Sequence, residues 1–179
     1  MLKDLILQNR SCRRFYQDVT IELKTLRELV DLARLSASAA NRQPLKYILS
    51  CDVGKNAVIF SHLAWASQLK DWPGPPEGER PSGYIIILLD TELSKTVMCD
   101  QGIAAQSILL GAREKGLGGV MHASVMRKEL CKALGIPPRY EILLVISLGK
   151  PKEKVVIEAM GPDGDFKYWR DKDKVHHVP

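Results

Sequence analysis

The first third of the chain predicts two helices from the spacing of its apolar residues. A short helix ends near Asn9. A longer helix has apolar residues at intervals of three and four, which places them on one face. These residues are Leu23, Leu26, Leu29, Val30 and Ala33. Such a face is typical of a helix that covers a core.

Continuous apolar runs predict the strands. The runs at 84–89 and 141–148 have the length and composition of strands that are buried on both faces, and 47–51 predicts a third strand. Taken alone, such runs favour a parallel sheet. Further helices are predicted over 58–69, 100–115 and 124–134, the last with Ser124 as its N-cap. Pro and Gly predict a loop at 73–83, and the polar tail after residue 160 shows no core of its own.

Composition agrees with one compact domain of mixed α and β structure. The 179 residues carry a formal charge of +5, spread along the chain, so they do not predict a nucleic-acid partner. No run reaches the roughly 18 apolar residues of a membrane helix. The apolar stretch at the N-terminus is too short for a signal peptide, and Asp4 interrupts it. The four cysteines are scattered, which favours reduced thiols in a cytoplasmic protein, and no Cys or His spacing predicts a metal site.

The first stretch with chemical potential follows the opening helix. Arg10, Ser11, Arg13 and Arg14 lie within five residues. Arginine forks and a serine hydroxyl suit a phosphomonoester. The alternative is a solvated basic turn at the C-terminus of a helix, where cations are also favoured.

Two further stretches combine small, amide or glycine residues. In SASAANRQP (36–44), Asn41 and Gln43 offer the donors and acceptors that recognise the edge of a heterocycle, although a helix C-terminal turn explains Asn41 alone. In EKGLGGVMHAS (114–124), Gly118 and Gly119 allow backbone amides to approach a flat ligand. The alternative there is a helix C-cap at Gly116 followed by a flexible loop.

Together these stretches resemble the nitroreductase family of FMN-dependent flavoproteins. Short motifs occur in the family's order along most of the chain. They are Arg-Ser-x-Arg-x-Phe at 10–15, the Ser, Ala, Asn, Gln and Pro of 38–44, Asp-x-Gly-x-Ala-x-Gln at 100–106, Gly-Leu-Gly at 116–118, Leu-Gly-Ile-Pro at 134–137 and Leu-Gly-Lys-Pro at 148–151.

The resemblance implies an α+β fold, an α-β-α sandwich with a mostly antiparallel central sheet, in place of the parallel sheet that the apolar runs favour. It also implies an interlocked homodimer with FMN at the interface. Residues 1–160 are then the FMN-binding domain, and 161–179 are an arm that packs on the partner subunit. The helix that starts at Asp100 is expected to pack across the dimer.

The resemblance also assigns FMN-binding residues. Those expected at the ribityl phosphate and the pyrimidine side of the ring are Arg10, Ser11 and Arg13. Those expected to reach the ring from the partner chain are Ser38, Asn41 and Gln43. Those expected to present backbone amides near the ring are Gly118 and Gly119. Many members have a second arginine in place of Asn9 and basic residues beyond the position of Pro179, for which Arg170 is a candidate substitute.

The implied activity is a ping-pong reaction in which NAD(P)H reduces FMN and a small electron-poor acceptor, such as a nitroaromatic or a quinone, is then reduced. No side chain is expected to act as catalytic acid or base, and His122 and Cys12 are expected to be packing residues. Residues 69–83 are a possible lid, with Trp65 and Trp72 either as an aromatic wall or as a cover of the core edge.

Alternatives remain within and outside this activity. Branches of the same family that dehalogenate, reduce enoates or destroy flavin fit the same motifs. A protein that sequesters flavin without turnover is a second alternative. A nucleic-acid-binding protein is disfavoured because no basic face or aromatic-interleaved strand is present in the sequence.

Overall fold

Five helices and eight strands are present in residues 1–69 and 71–179, which the computed structural model describes. The helices are α1 (Leu2–Gln8), α2 (Leu23–Arg34), α3 (Val53–Ser61), α4 (Asp100–Glu114) and α5 (Arg127–Leu134). The strands are β1 (Phe15–Tyr16), β2 (Leu45–Ser50), β3 (Gly83–Asp90), β4 (Gly118–His122), β5 (Tyr140–Pro151), β6 (Val155–Ile157), β7 (Trp169–Arg170) and β8 (His176–Val178).

The central sheet has the order β1-β5-β3-β2, and β4 also pairs with β5. All four of these pairings are antiparallel, which confirms the antiparallel sheet. The parallel sheet that the apolar runs by themselves favoured is wrong. The register sets Ile85 opposite Ile146 and Gly119 opposite Leu148. The long strand β5 therefore connects the core strands with the glycine strand β4.

Both faces of the sheet are covered, because alternate residues of a strand point to opposite sides. Ile85 and Ile87 pack with α2 and α4 on one face. Tyr84, Ile86 and Leu88 pack on the other face in a second cluster, with residues of α3 and α5. Every residue of β3 is buried, so the continuous apolar run is explained by a helix layer on each side. The α-β-α sandwich expected from the resemblance is confirmed.

Helix α4 lies on the core through its small residues. Ala104, Ala105 and Ala112 are buried, which brings the helix axis close to its neighbours. The opposite side of the same helix exposes Gly102 and Ile103. The glycine on this outer side leaves room for close approach by another helix, and the isoleucine offers apolar surface to it.

The predicted helix over 58–69 is wrong in its bounds. Helix α3 starts at Val53, because the Asp52 side chain accepts a hydrogen bond from the Lys55 amide at 2.7 Å and caps it. It ends at Ser61. Leu63, which follows the helix, forms an isolated bridge with Val125, so the apolar chain after Ser61 is extended and not helical.

Two predictions near residue 120 also need correction. Ser124 does not cap α5, which begins at Arg127; the Ser124 carbonyl instead accepts a hydrogen bond from the Ala64 amide at 3.1 Å. The glycine-terminated helix end is present: Lys115 is the C-cap of α4, and Gly116 follows it with φ at +71°. The residues after it form strand β4 rather than a loop. Its two glycines obscured the inward alternation of Val120 and His122.

The tail forms a small second sheet. Strand β8 pairs in parallel with β6 and antiparallel with β7. This sheet joins residues on both sides of the expected boundary at residue 160. The packing of 161–179 on a partner subunit stays a prediction.

A side chain at Gly119 should destabilise the fold. A Cβ atom there would lie 2.7 Å from the Ser147 carbonyl oxygen and 2.7 Å from a Leu109 methyl group. Because the carbonyl belongs to β5 and cannot move alone, we expect Gly119→Ala to lower the free energy of unfolding by roughly 1–3 kcal/mol. Urea denaturation followed by circular dichroism measures this loss.

Gly54→Ala is the matched control for this prediction. Its nearest neighbour would be an Asp52 carboxylate oxygen at 3.4 Å, an ordinary contact, and the residue lies in a helix. We expect Gly54→Ala to be neutral or to stabilise by up to about 1 kcal/mol. Equal urea midpoints for wild type and Gly119→Ala would show that the β4–β5 contact is not tight.

Candidate functional site

Ser11 and the glycine strand β4 lie side by side. The Cys12 amide donates a hydrogen bond to the Gly119 carbonyl at 2.9 Å, and Ser11 forms a parallel bridge with Gly119. Gly118 needs its hydrogen side chain because a Cβ would lie 2.8 Å from Pro151. The structure thus brings together two of the stretches that the sequence separates by about a hundred residues.

A cleft of about 560 Å³ opens between α1, β4 and β6. Arg10, Arg113 and Lys154 line it, together with Gly118. Glu153 is the acidic residue in its lining, and its carboxylate is already paired, as described below. The cleft is therefore basic and has the size of a site for a small molecule or cofactor. Gly119, in contrast, is buried beneath it.

Arg13 lies under the C-terminal tail. Its guanidinium is 3.5 Å from the His176 ring and 5.0 Å from the centre of the Tyr168 ring. Burial lowers the pKa of Arg13, while the neighbouring Tyr168 and Glu153 act in the opposite direction. Arginine remains charged in proteins, so this is a cation in surroundings of low dielectric constant.

Glu153 ties the same region together. Its Oε2 accepts from the Arg13 amide at 2.7 Å, and its Oε1 accepts from Arg170 Nε at 2.8 Å. The Arg170 guanidinium also stacks on Trp72, 4.1 Å from the ring centre. Arg170, a candidate substitute for a missing phosphate ligand, is therefore held by Glu153 and Trp72.

A second ion pair holds the segment before β3 against the chain that carries Ser11 and Arg13. Arg14 Nε and Nη2 donate to the two carboxylate oxygens of Glu79 at 2.6 and 2.9 Å. Lys152 Nζ lies 3.1 Å from the same carboxylate. The hydrogen bonds from Arg14 are the largest cause of the shift that lowers the pKa of Glu79 to about 2. This carboxylate is thus ionised at every physiological pH.

The amide-rich stretch is organised around Asp100, the first residue of α4. Ser38 Oγ donates to the Asp100 carboxylate at 2.6 Å and accepts from the backbone N–H of Gln43 at 2.9 Å. Gln43 Nε2 in turn donates to Asn41 Oδ1 at 2.8 Å. Asn41 and Gln43 are exposed, so their remaining donors and acceptors face outward.

The backbone of this stretch is strained. Ala40, Asn41 and Gln43 have φ values of +50°, +53° and +50°. Residues other than glycine seldom adopt this region, and such strain persists where the surroundings hold it. Here the two hydrogen bonds of Ser38 and the Asp100 contact with the Ala39 amide at 3.0 Å do so. The simple helix C-cap therefore does not describe this turn.

The two halves of the predicted site lie at opposite ends of α4. Asp100 is at its N-terminus, and Arg113, near its C-terminus, donates to Gln8 beside the basic cleft. Fifteen helical residues rise by about 1.5 Å each, so the two groups are on the order of 20 Å apart. One chain does not place them around one ring.

His122 and Cys12 are packing residues, as expected. Burial lowers the pKa of His122 to about 4, and its neutral ring contacts Ser147 Oγ at 2.9 Å. Burial raises the pKa of Cys12 to about 12, so its thiol stays protonated. Trp65 is also buried and contacts the His122 ring, which favours the core-edge interpretation over an aromatic wall. The lid role of 69–83 stays a prediction.

Sequence reasoning missed four residues that surround Arg13 and Arg14. They are Glu79, Glu153, Tyr168 and His176. Each is separated from its arginine by more than sixty residues, and no spacing rule connects them. The clustering of Tyr, Trp and Arg at 168–170 was a weak signal that the tail packs on something.

A model of the nitroreductase family matches residues 6–73 and 84–150 of this chain. An Archaeoglobus fulgidus protein named "Putative NADH dehydrogenase/NAD(P)H nitroreductase" is 29% identical over an alignment of 157 residues, and this alignment covers 83% of this chain and 85% of that one.

Solved structures show the same fold. An FMN-dependent nitroreductase from Clostridium difficile R20291 has 25% identity and a TM-score of 0.68, over 84% of this chain and 87% of its own. A nitroreductase family protein from Streptococcus pneumoniae TIGR4 has 19% identity and a TM-score of 0.74, over 91% of this chain and 96% of its own. In the described part of this chain no helix is long and apolar enough to cross a bilayer, and no group of three metal-binding side chains occurs.

The Arg14–Glu79 pair should make stability depend on acid pH. The folded pKa of about 2 lies below the ordinary 4.5, so the stabilisation is complete above pH 4.5 and is lost as pH falls through 2. We expect Glu79→Gln to lower the melting temperature at pH 7, and the difference from wild type to shrink below pH 4.5 and to vanish near pH 2.

Melting curves by circular dichroism between pH 2 and pH 7 test this dependence. Glu114→Gln, at an exposed glutamate, is the control and should follow wild type at each pH. If the melting temperature of Glu79→Gln stays below that of wild type by the same amount at every pH in this range, a role for the charge is contradicted.

Proposed function

This chain belongs to the nitroreductase family, and on that premise we propose that it is an FMN-dependent oxidoreductase that takes hydride from NAD(P)H. The observation that carries the proposal is the division of the predicted site between the two ends of α4. The basic cleft beside Ser11 and Gly118 lies at one end, and the outward amides of Asn41 and Gln43 lie at the other.

The division is resolved by a homodimer. When two copies of α4 pack antiparallel across a two-fold axis, the N-terminal end of one lies near the C-terminal end of the other. Each pair of half-sites then contains Arg10, Ser11 and Gly118 from one chain and Asn41 and Gln43 from its partner. The exposed Gly102 and Ile103 on the outer side of α4 support this mode of packing.

The residues at the cleft fit FMN. Arg10, Arg113 and Lys154 supply cations for a phosphate, and Ser11, which lies between the lining residues Arg10 and Cys12 in the chain, supplies a hydroxyl next to the cleft. Gly118 keeps the wall of the cleft free of a side chain next to Cys12. Asn41 and Gln43 supply the amide donors and acceptors that the polar edge of the ring requires.

FMN, when bound, supplies acceptance and return of hydride, and the protein supplies position and electrostatics. Arg13 holds a positive charge in partly desolvated surroundings, where it stabilises negative charge more strongly than in water. His122 is neutral and internally bonded, and Cys12 is a protonated thiol. We therefore assign binding and charge stabilisation to the chain's residues, and no acid–base step to these two.

The proposed reaction is ping-pong, with NAD(P)H followed by a small electron-poor acceptor such as a nitroaromatic or a quinone. The names of the Archaeoglobus and Clostridium relatives support the nitro acceptor and the two cofactors. Dehalogenation, enoate reduction, flavin destruction and flavin sequestration are the alternative outcomes of the tests below.

An absorbance spectrum tests the cofactor and the electron donor directly. We expect purified protein, supplied with FMN and then desalted, to retain flavin bands at about 370 and 450 nm, and anaerobic NADH or NADPH to bleach them. Re-oxidation by p-nitrobenzoate or benzoquinone then identifies the acceptor. A retained flavin that neither nucleotide bleaches would support sequestration, and a protein that never retains FMN would contradict the proposal.

Complementation between two variants tests the shared site. Arg10→Ala and Gln43→Ala alter opposite ends of α4, and each alone should reduce NAD(P)H oxidation strongly. In a heterodimer one site carries both substitutions and the other carries neither, so random mixing should restore about a quarter of the wild-type sites.

Mixing Arg10→Ala with Ser11→Ala is the matched control, because both substitutions affect the same half of the site. We expect no recovery there. Recovery in neither mixture, with heterodimers shown by native mass spectrometry, would mean that Arg10 and Gln43 serve the same chain's site.

A further inference from the structure

The cavity between α3 and the segment that leads into β3 is separate from the predicted flavin-binding residues. It has a volume of about 320 Å³, and its lining includes Asn56, Phe60, Arg80, Ser82 and Tyr84. None of the eight predicted flavin-binding residues lines it. We propose that this cavity binds a small carboxylate that has an aromatic or other apolar body.

The walls of this cavity are held rigidly. Gln17 Oε1 accepts from the backbone amides of Gly78 and Arg80 at 2.8 and 3.0 Å. Asn56 Nδ2 donates to the Ser82 carbonyl at 3.0 Å, and Asn56 Oδ1 accepts from Ser50 Oγ at 2.7 Å. A cavity whose walls are fixed in advance loses little conformational entropy when a ligand binds.

Two hydroxyl groups of the lining are buried without a protein partner among the described residues. Ser82 is 9% exposed and Tyr84 is 1% exposed, and neither hydroxyl makes a hydrogen bond. Ser147 stands opposite Tyr84 in β5 and lowers the pKa of Tyr84 against the effect of burial, but Ser147 Oγ contacts His122 at 2.9 Å, so Ser82 is the more clearly unpartnered of the two hydroxyls. Buried hydroxyls without partners are unfavourable, and a ligand oxygen would satisfy them.

Arg80 identifies the ligand as an anion. Its Nη1 lies 2.7 Å from Glu77, while its buried Nε has no partner in the described chain. The guanidinium stacks on Phe60, 4.4 Å from the ring centre, which fixes its plane. In this protein Arg14 and Arg139 each hold a carboxylate through Nε and Nη2. The same edge of Arg80 suits a carboxylate in two-point contact.

Glu77 is a weak competitor for this arginine. Its side chain is 70% exposed, and exposed ion pairs contribute little. A ligand carboxylate inside the cavity can replace it, while the Phe60 and Tyr84 rings contact the apolar body of the ligand. The volume suits a molecule of about the size of a single substituted ring.

Fluorine NMR with 4-fluorobenzoate as the probe tests the proposal on the full-length, FMN-saturated protein. We expect saturable binding, weakened at least about tenfold by Arg80→Met and about threefold to tenfold by Ser82→Ala. Arg80→Lys, which keeps the charge without the fork, should also weaken binding. Glu77→Gln should tighten it about threefold, because the competing carboxylate is removed. A purely apolar cavity would not respond to Glu77→Gln.

Arg27→Met is the matched control, since Arg27 is exposed on α2, and should leave the affinity unchanged. The neutral analogue 4-fluorobenzyl alcohol should not bind. Equal binding of the alcohol and the carboxylate would overturn the proposal, as would binding of 4-fluorobenzoate to FMN-free protein that FMN-saturated protein does not show, which would place the probe in the flavin site. Absence of binding to wild type would overturn it as well. Each outcome is read independently of whether NAD(P)H reduces the flavin.

Discussion

Strand β5 is the constraint on which the other elements depend. It pairs with β3 along its first part and with β4 and β1 toward its end. Its side chains Ile146 and Leu148 enter one core and Val145 enters the other. The glycines of β4 lie so close to β5 that side chains do not fit between them. The strand that completes both cores therefore also positions the wall of the basic cleft.

The geometry of the cleft depends on its contacts with this core. Because Gly119 is anchored to Leu148 and to the Cys12 amide, Ser11 has a fixed distance from the central sheet. The Arg14–Glu79 pair then attaches the segment before β3 to the stretch that carries Ser11. The Arg170–Glu153 pair attaches the tail to Glu153, which also binds the Arg13 amide. These pairs are largely shielded from water, so removing one member would leave the other charge uncompensated. Residues from distant parts of the sequence thereby form one electrostatic unit.

Periodicity and short motifs predicted the layers of the fold but missed its short elements. Helix α2 follows from the spacing of its leucines, and β3 follows from the apolar run at 84–89. The direction of the strands does not follow from apolar runs, because burial on both faces occurs wherever helices cover both sides of a sheet. Motif order corrected this prediction. Strand β4 was missed because glycine has low strand propensity, and α3 was misplaced because its Asp52 cap was not recognised.

The candidate site shows the same limit. Arg10, Ser11 and Gly118 were predicted from local residue types. The structure places Arg10 and Gly118 in the lining of one cleft, and Ser11 follows Arg10 and bridges to Gly119. Local patterns do not reveal pairs such as Arg13 with Glu153, since 140 residues separate them. They also do not reveal that Ser38 uses its hydroxyl to hold Asp100. Long-range contacts of this kind are set by topology, which no short window of sequence contains.

The length of α4 has a consequence for how the protein behaves on dilution. Under the proposed function, a site that needs both ends of this helix exists only while two chains are associated. Cofactor binding and subunit association are then thermodynamically linked, so FMN would tighten the dimer by the same factor by which the dimer tightens FMN. The fraction of protein that carries flavin would rise with protein concentration even at constant free FMN. The amount of chain in the cell would thus itself set how much of it is able to react.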